Sequence, residues 1–285
     1  MNEGLNPLEI RGRSFIWGER TFLMGILNVT PDSFSDGGEF NELEAALTQA
    51  QLMEASGADI IDVGGQSTRP GSRQISLPEE LERTIPVIEQ LRSRSSIPIS
   101  IDTTRSQVAK AAIEAGADIV NDISGGTFDP EMFPVIAELG VPYILMHLRG
   151  TPETMQSLTD YEDVVKEIYQ FFVEQIDKAV KVGVGRSQII LDPGIGFAKT
   201  YPQNIELFQR LPEFKPLNLP ILVGPSRKSF IGHFLGKKNP KDRIWGTAAA
   251  CCSAIALGCD ILRVHDVPEM ADVRRLSDKI WRSRV

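Results

Sequence analysis

The 285-residue chain is predicted to be an α/β protein, a single (β/α)8 TIM barrel over residues 1–285, and three observations predict it. Short runs rich in Ile, Val and Leu alternate with helical patterns about eight times along the sequence. The runs are apolar throughout, as parallel strands covered on both faces are. Three phrases, ASGADIIDVGG, EAGADIVNDISGG and ALGCDILRV, repeat one order: helix end, Gly, small residue, Asp, strand. An open doubly wound sheet is the competing arrangement, but no GxGxxG follows the first strand, which weakens its dinucleotide-binding form.

The segment Leu8–Phe22 alternates around Gly18 and reads as an N-terminal hairpin closing the barrel floor. The strands expected after it are Phe22–Val29, Asp59–Val63, Ile97–Ile101, Asp118–Asn121, Tyr143–Met146, Gln188–Leu191, Ile221–Val223 and Ile261–Val264. Helices are expected over Asn41–Ser56, Pro78–Ser93, Ser106–Ala115, Pro130–Leu139, Tyr161–Val182, Pro202–Arg210, Pro240–Leu257 and Pro268–Ile280. Asn41 and Glu44 have capping-box spacing, and Pro78 suits a first helical turn. Gly57, Gly116, Gly140, Gly183 and Gly258 stand where helices end in a left-handed residue. No Pro/Gly/Ser-rich linker interrupts the pattern, so one domain is expected.

Composition excludes several classes. The chain is 42% hydrophobic and 24% charged, which suits a packed core and not disorder. A net charge of −8 argues against nonspecific nucleic-acid binding, though not against small anions held by a few local cations. Cys251, Cys252 and Cys259 have neither metal nor disulfide spacing and read as free thiols. The start lacks a secretory pattern, and the longest apolar stretch, Thr247–Leu257, is too short to span a bilayer. A cytoplasmic protein without a membrane partner is expected.

Barrels build their sites at the C-terminal ends of the strands. Each apolar run gives way to polar residues: Asn28, Asp62, Asp102, Asn121 with Asp122, His147, Asp192, Ser226 with Arg227 and Lys228, and Arg263 with His265. A lone Asp there is more often a cap, but capping does not explain eight such ends facing one way. Asp102, Asn121 and Asp192 are acceptors suited to a heterocycle that presents adjacent N–H groups. Arg227, Lys228, Arg263 and His265 come late in the chain, where barrels hold phosphate, and GPSRKS places Ser226 and Lys228 at a helix start. Arg227 reads equally as a packing residue. His147 reads equally as a core histidine, and the three histidines lack zinc spacing. Asn28 near these cations suits a hard ion, Mg²⁺. The polar loops Thr30–Phe40 and Gln66–Ser76 are placed to cover the mouth.

MGILNVTPDSFSDGG, DVGGQSTRPGS, IDTTR, NDISGG, MHLRGTP, LDPGIGFAKT, GPSRKSFIG and RVHDV together resemble the dihydropteroate synthase family, from about Phe22 to Val267. LNVTPDSFSDGG and SRKSFIG are specific; IDTTR and NDISGG alone are weak. The resemblance implies condensation of 6-hydroxymethyl-7,8-dihydropterin diphosphate with 4-aminobenzoate, giving 7,8-dihydropteroate and diphosphate for folate synthesis, in a homodimer. It implies that Asn28 is the Mg²⁺-linked residue at the diphosphate. Asp102, Asn121, Asp192 and Lys228 resemble the pterin pocket, with Asp62 and Met146 nearby. Arg263 and His265 resemble the pair beside pterin and diphosphate. Thr68, Arg69 and Pro70 resemble the loop that closes over the reacting centre, joined by Asp36; Asp36, Thr68, Arg69 and Lys228 are the catalytic candidates. Phe197, Ser226 and Lys228 resemble the 4-aminobenzoate side, where sulfonamides compete. Gln66 stands where the family more often has Glu, which touches only loop contacts. A folate–corrinoid methyltransferase or a catalytically silent pterin-binding paralogue is the alternative; the first has no reason to carry the anion-handling set, and no broken loop or lost cation marks the second.

Overall fold

The computed structural model describes residues 5–30 and 39–282. A hairpin, β1 (Leu8–Ile10) and β2 (Arg13–Phe15), precedes eight parallel strands: β3 (Phe22–Asn28), β4 (Ile60–Gly64), β5 (Ile99–Asp102), β6 (Ile119–Asp122), β7 (Tyr143–Met146), β8 (Ile189–Asp192), β9 (Leu222–Val223) and β10 (Ile261–Val264). They pair in the order β8-β7-β6-β5-β4-β3-β10-β9, and a parallel bridge between Leu191 and Ile221 brings the two edges together. The barrel is thereby nearly closed, as the alternation of strand and helix predicts, and the open sheet is excluded.

Helices cover the outside: α1 (Glu39–Ala55), α2 (Leu77–Arg94), α3 (Ser106–Glu114), α4 (Met132–Leu139), α5 (Val164–Lys181), α6 (Tyr201–Gln209), α7 (Ser229–Leu235), α8 (Ile244–Ala256) and α9 (Val267–Trp281). The strands face two cores because successive side chains point to opposite faces. Leu23, Ile61, Ile101, Val120, Leu145, Leu191 and Leu262 point outward onto the helices. Phe22, Met24, Ile60, Ile119, Ile144, Ile190, Leu222 and Ile261 point inward and pack against Leu8, Ile10, Phe15 and Trp17. The hairpin therefore does plug the barrel floor. Its turn lies at Arg11-Gly12, both with positive φ, and not at Gly18, which sits in a later turn.

Other departures are local. α1 already contains Glu39 and Phe40, so Asn41 lies inside the helix, and Glu44 pairs with Arg94 instead of completing a capping box. Helix α5 starts at Val164 because Asp163 caps it, accepting from the N–H groups of Val165 and Lys166. Pro240–Arg243 forms a separate 3₁₀ turn before α8. The short helix α7 is an addition to the expected set.

The repeated Gly-small-Asp phrase has a mechanical meaning. Asp59 Oδ2 accepts the N–H of Leu23 at 2.8 Å, Asp118 Oδ2 that of Ile99 at 2.9 Å, and Asp260 Oδ2 that of Ile221 at 3.0 Å. Each Asp enters one strand and satisfies the first free amide of the preceding strand, so the repeat locks neighbouring strands in register.

Candidate functional site

The same two-residue period that builds the floor builds the mouth. Two positions beyond Ile60, Ile119, Ile144, Ile190 and Ile261 stand Asp62, Asn121, Met146, Asp192 and Arg263. Asp102 joins them through its register with Gly64 and Asn121. All six are brought to the upper end of one barrel interior. Asp122, one residue out of phase, points away: it is buried, accepts from Ser124 and from the Tyr143 hydroxyl at 2.7 Å, and is structural.

Arg263 organises the acceptors. Its Nε donates to Asp62 Oδ2 at 2.6 Å and an Nη donates to Asp102 Oδ2 at 2.6 Å. Asn121 Nδ2 also donates to Asp62 Oδ2, at 3.1 Å. Asp62 Oδ1 is buried without a hydrogen-bond partner, an acceptor still open to a donor. Burial pushes the Asp102 carboxyl up to about 7, with Arg263 opposing and Asp62 reinforcing. Burial also raises Asp192, against the pull of the Gly194 N–H and of Lys228, Arg263 and Lys199.

Lys228 and His265 join Arg263 at the mouth, where Lys228 and Arg263 act on the Asp192 and Asp102 carboxyls and on one another. Lys228 immediately precedes α7 as its N-cap residue, and its Nζ lies 3.9 Å from the centre of the Phe197 ring. Burial pushes Lys228 down to about 8, helped by Arg263 and opposed by Asp192. His265 places Nδ1 3.0 Å from the Ser226 hydroxyl, which also accepts the His265 backbone N–H. Burial, then Arg227, Arg263, Lys228 and Arg69, push the imidazole down to about 3, so it is neutral at pH 7. Arg227 is a packing residue as well as a charge: it has positive φ and its guanidinium pairs with Asp266.

In the second loop Thr68 is half-buried, the Arg69 N–H donates to the Ser67 hydroxyl at 3.4 Å, and the Arg69 charge is the last of those that push His265 down. Arg69 and Pro70 are exposed. Gln66 keeps an acceptor role, taking the Ile75 N–H at 3.3 Å. Asn28 ends β3 and is half-buried. Asp36 lies outside the described residues. No cluster of three metal-binding side chains occurs among the described residues.

His147 is a core residue. It is 3% exposed, stands edge-on to Phe171 with ring centres 4.9 Å apart, and touches Lys199. Sequence reasoning missed Lys199, Glu80 and Arg105. Lys199 lies in LDPGIGFAKT, and only burial distinguishes it from a solvated lysine. Glu80, on α2, and Arg105, just before α3, form an ion pair with no mark in spacing.

The model of the family described as pterin binding enzyme matches residues 24–265. The dihydropteroate synthase of Synechocystis sp. is 61% identical over 276 residues, covering 97% of this chain and 96% of its own. The solved dihydropteroate synthase from Clostridium difficile, in the presence of pteroic acid, superposes with a TM-score of 0.89 at 47% identity, over 94% of this chain and 100% of that one. The Xanthomonas albilineans dihydropteroate synthase with 4-aminobenzoic acid gives 0.90 at 39% identity, over 98% of this chain and 99% of that one.

Proposed function

The chain belongs to the pterin binding enzymes, as a dihydropteroate synthase, and on that premise we propose how its barrel mouth divides the work. It condenses 6-hydroxymethyl-7,8-dihydropterin diphosphate with 4-aminobenzoate, releasing diphosphate and giving 7,8-dihydropteroate for folate synthesis. The observation that carries the division is the acceptor cage Asp62, Asp102, Asn121 and Asp192, with one buried Asp62 oxygen left open. A pterin edge offers adjacent N–H donors, and carboxylates accept such pairs well. Met146, at the mouth end of β7 and clustered with Ile123, Met155 and Phe197, supplies apolar contact.

Arg263 and His265 face the diphosphate. Asn28 fits Mg²⁺ by chemistry, as a hard amide oxygen at the mouth end of β3, and substrate phosphate and water would fill the rest of the ion's shell. When bound, Mg²⁺ offsets negative charge on the phosphate oxygens. The C–O bond to diphosphate breaks with the electron pair leaving on oxygen. Arg263 stabilises that charge by position and fixed cationic character, and the neutral His265 can donate a hydrogen bond. The arylamine nitrogen then bonds to the methylene carbon and sheds a proton. Phe197, Ser226 and Lys228 hold 4-aminobenzoate, while Thr68, Arg69 and Pro70 close over the reacting centre and exclude water. The arylamine attacks as the neutral base, so no residue of the chain is assigned as its obligatory proton acceptor.

A homodimer is part of this reading. An apolar groove of about 560 Å³ lies between α6, α7 and α8, lined by Phe208, Phe230, Phe234, Leu235, Ala250 and Leu257. Phe234 is 54% and Leu235 51% exposed, and α8 turns Thr247, Cys251 and Ile255 to the barrel but Ala250 and Leu257 to the groove. A second copy would cover this face. No helix among the described residues is long and apolar enough to cross a membrane, and the free Cys251, Cys252 and Cys259 agree with a reducing cytoplasm.

Diphosphate release with Mg²⁺ tests the reading. Release should require both substrates and equal the dihydropteroate formed. Pterin binding without product would move the assignment to a silent paralogue or a methyltransferase.

A further inference from the structure

Lys199 ends the loop after β8, is 2% exposed, and forms no salt bridge with a carboxylate among the described residues. Burying an ammonium without a direct counter-ion is costly, so its contacts matter. Its Nζ donates to the Phe197 carbonyl at 2.8 Å and lies 3.2 Å from His147 Nδ1. His147 is itself fixed: its backbone N–H donates to the Asp192 carbonyl at 3.0 Å, and its ring meets Phe171 edge-on. Burial, then Lys199 and Arg149, hold His147 neutral, and in the tautomer with its proton on Nε2 the Nδ1 accepts from Lys199. The loop is pressed onto this point: at Gly194, with φ +71°, a Cβ would come 2.2 Å from the His147 carbonyl oxygen. Beyond the clamp, the Phe197 ring faces Lys228 Nζ at 3.9 Å.

We propose that Lys199 is a positioning residue for the arylamine side of the site: by tying the Phe197 carbonyl to the His147 ring, it fixes the ring face beside which Lys228 and 4-aminobenzoate are held. This rests on the reading that Phe197 and Lys228 line that side. Lys199 reaches neither substrate; it acts through the loop. Its role is hidden in the sequence because a lysine after a Gly-rich loop normally points to water.

The test uses the full chain, with each substrate varied at saturation of the other. Lys199→Met removes the amine, nearly keeps the volume and relieves the buried charge. It should raise the KM for 4-aminobenzoate about tenfold or more and leave that for the pterin diphosphate unchanged. Lys199→Gln keeps an N–H donor but is too short to span both partners. Its rise should be smaller and still confined to 4-aminobenzoate. In either variant, no rise, or an equal rise for both substrates, overturns the proposal. Phe197→Leu separates the two levels. If it raises the 4-aminobenzoate KM while the Lys199 variants do not, Lys199 alone is misassigned. If Phe197→Leu also leaves that KM unmoved, the assignment of Phe197 falls with it.

Discussion

Asp102 and Arg263 show how single residues carry opposing demands at the mouth. Asp102 is pushed up to about 7 by burial, so in the folded state it holds its proton at a pH where the unfolded chain has lost it. Its stabilising contribution is therefore full below about pH 4 and is lost as pH rises through 7. Pterin binding has the opposite sign, because the carboxylate is the form that accepts N–H donors. Titration calorimetry should show pterin affinity weakening as pH falls below 7, and a flat profile would remove Asp102 from the pterin contacts. Arg263 is the counterpart, with a side chain 16% exposed between two buried carboxylates. Arg263→Ala would strand both, at a cost of about 3–5 kcal/mol, and should also weaken diphosphate-dependent binding. Thermal denaturation and binding measured on that variant should fall together; a loss of binding at unchanged Tm would leave Arg263 as a ligand contact only.

At the scale of elements, the second loop is tied down at both ends by the helices that flank it. Arg83 on α2 donates to the Gly65 carbonyl at 2.9 Å, where the loop leaves β4. Arg105, the N-cap residue of α3, donates to the Ile75 carbonyl and to Glu80, which also accepts from the Thr103 hydroxyl at 2.6 Å. Midway, the Gly71 N–H donates to the Pro152 carbonyl at 2.9 Å, joining the loop to the segment after β7. Arg105→Met should loosen the loop's C-terminal end while leaving the acceptor cage intact. We expect kcat/KM to fall about tenfold with pterin affinity little changed, read by steady-state kinetics beside equilibrium pterin binding. A proportional loss of pterin affinity would mean the ion pair supports the cage and not the loop.

At the scale of the whole molecule, the mouth and the apolar flank groove are lined by different residues. The hairpin seals one end of the barrel, the mouth opens at the other, and the apolar groove of α6, α7 and α8 lies on the flank. Leu235→Asp places a charge in that groove without touching any mouth residue. Sedimentation should shift from dimer toward monomer at low protein concentration. A wild-type protein that sediments as a monomer would discard the second copy as the groove's occupant.

The sequence by itself determined the barrel and most of its mouth, because both arise from local periods. Apolar runs alternating with helical patterns specify βα units, and a side-chain period of two puts Asp62, Asn121, Asp192 and Arg263 above the floor residues once the strands exist. The Gly-small-Asp repeat was also legible, although its work of satisfying a neighbouring strand's amide was not. The hairpin's existence could be read but not its turn, since Gly12 and Gly18 both break the alternation and both adopt positive φ. Only the tertiary structure decided that Arg263 bridges Asp62 and Asp102 across 201 and 161 positions of chain, and that Arg105 meets Glu80. It likewise turned His147 into a core group and Lys199 into a buried clamp. The reason is physical: propensity and period act over a few residues, whereas burial, ionisation and side-chain pairing depend on which distant segments closure of the barrel brings together.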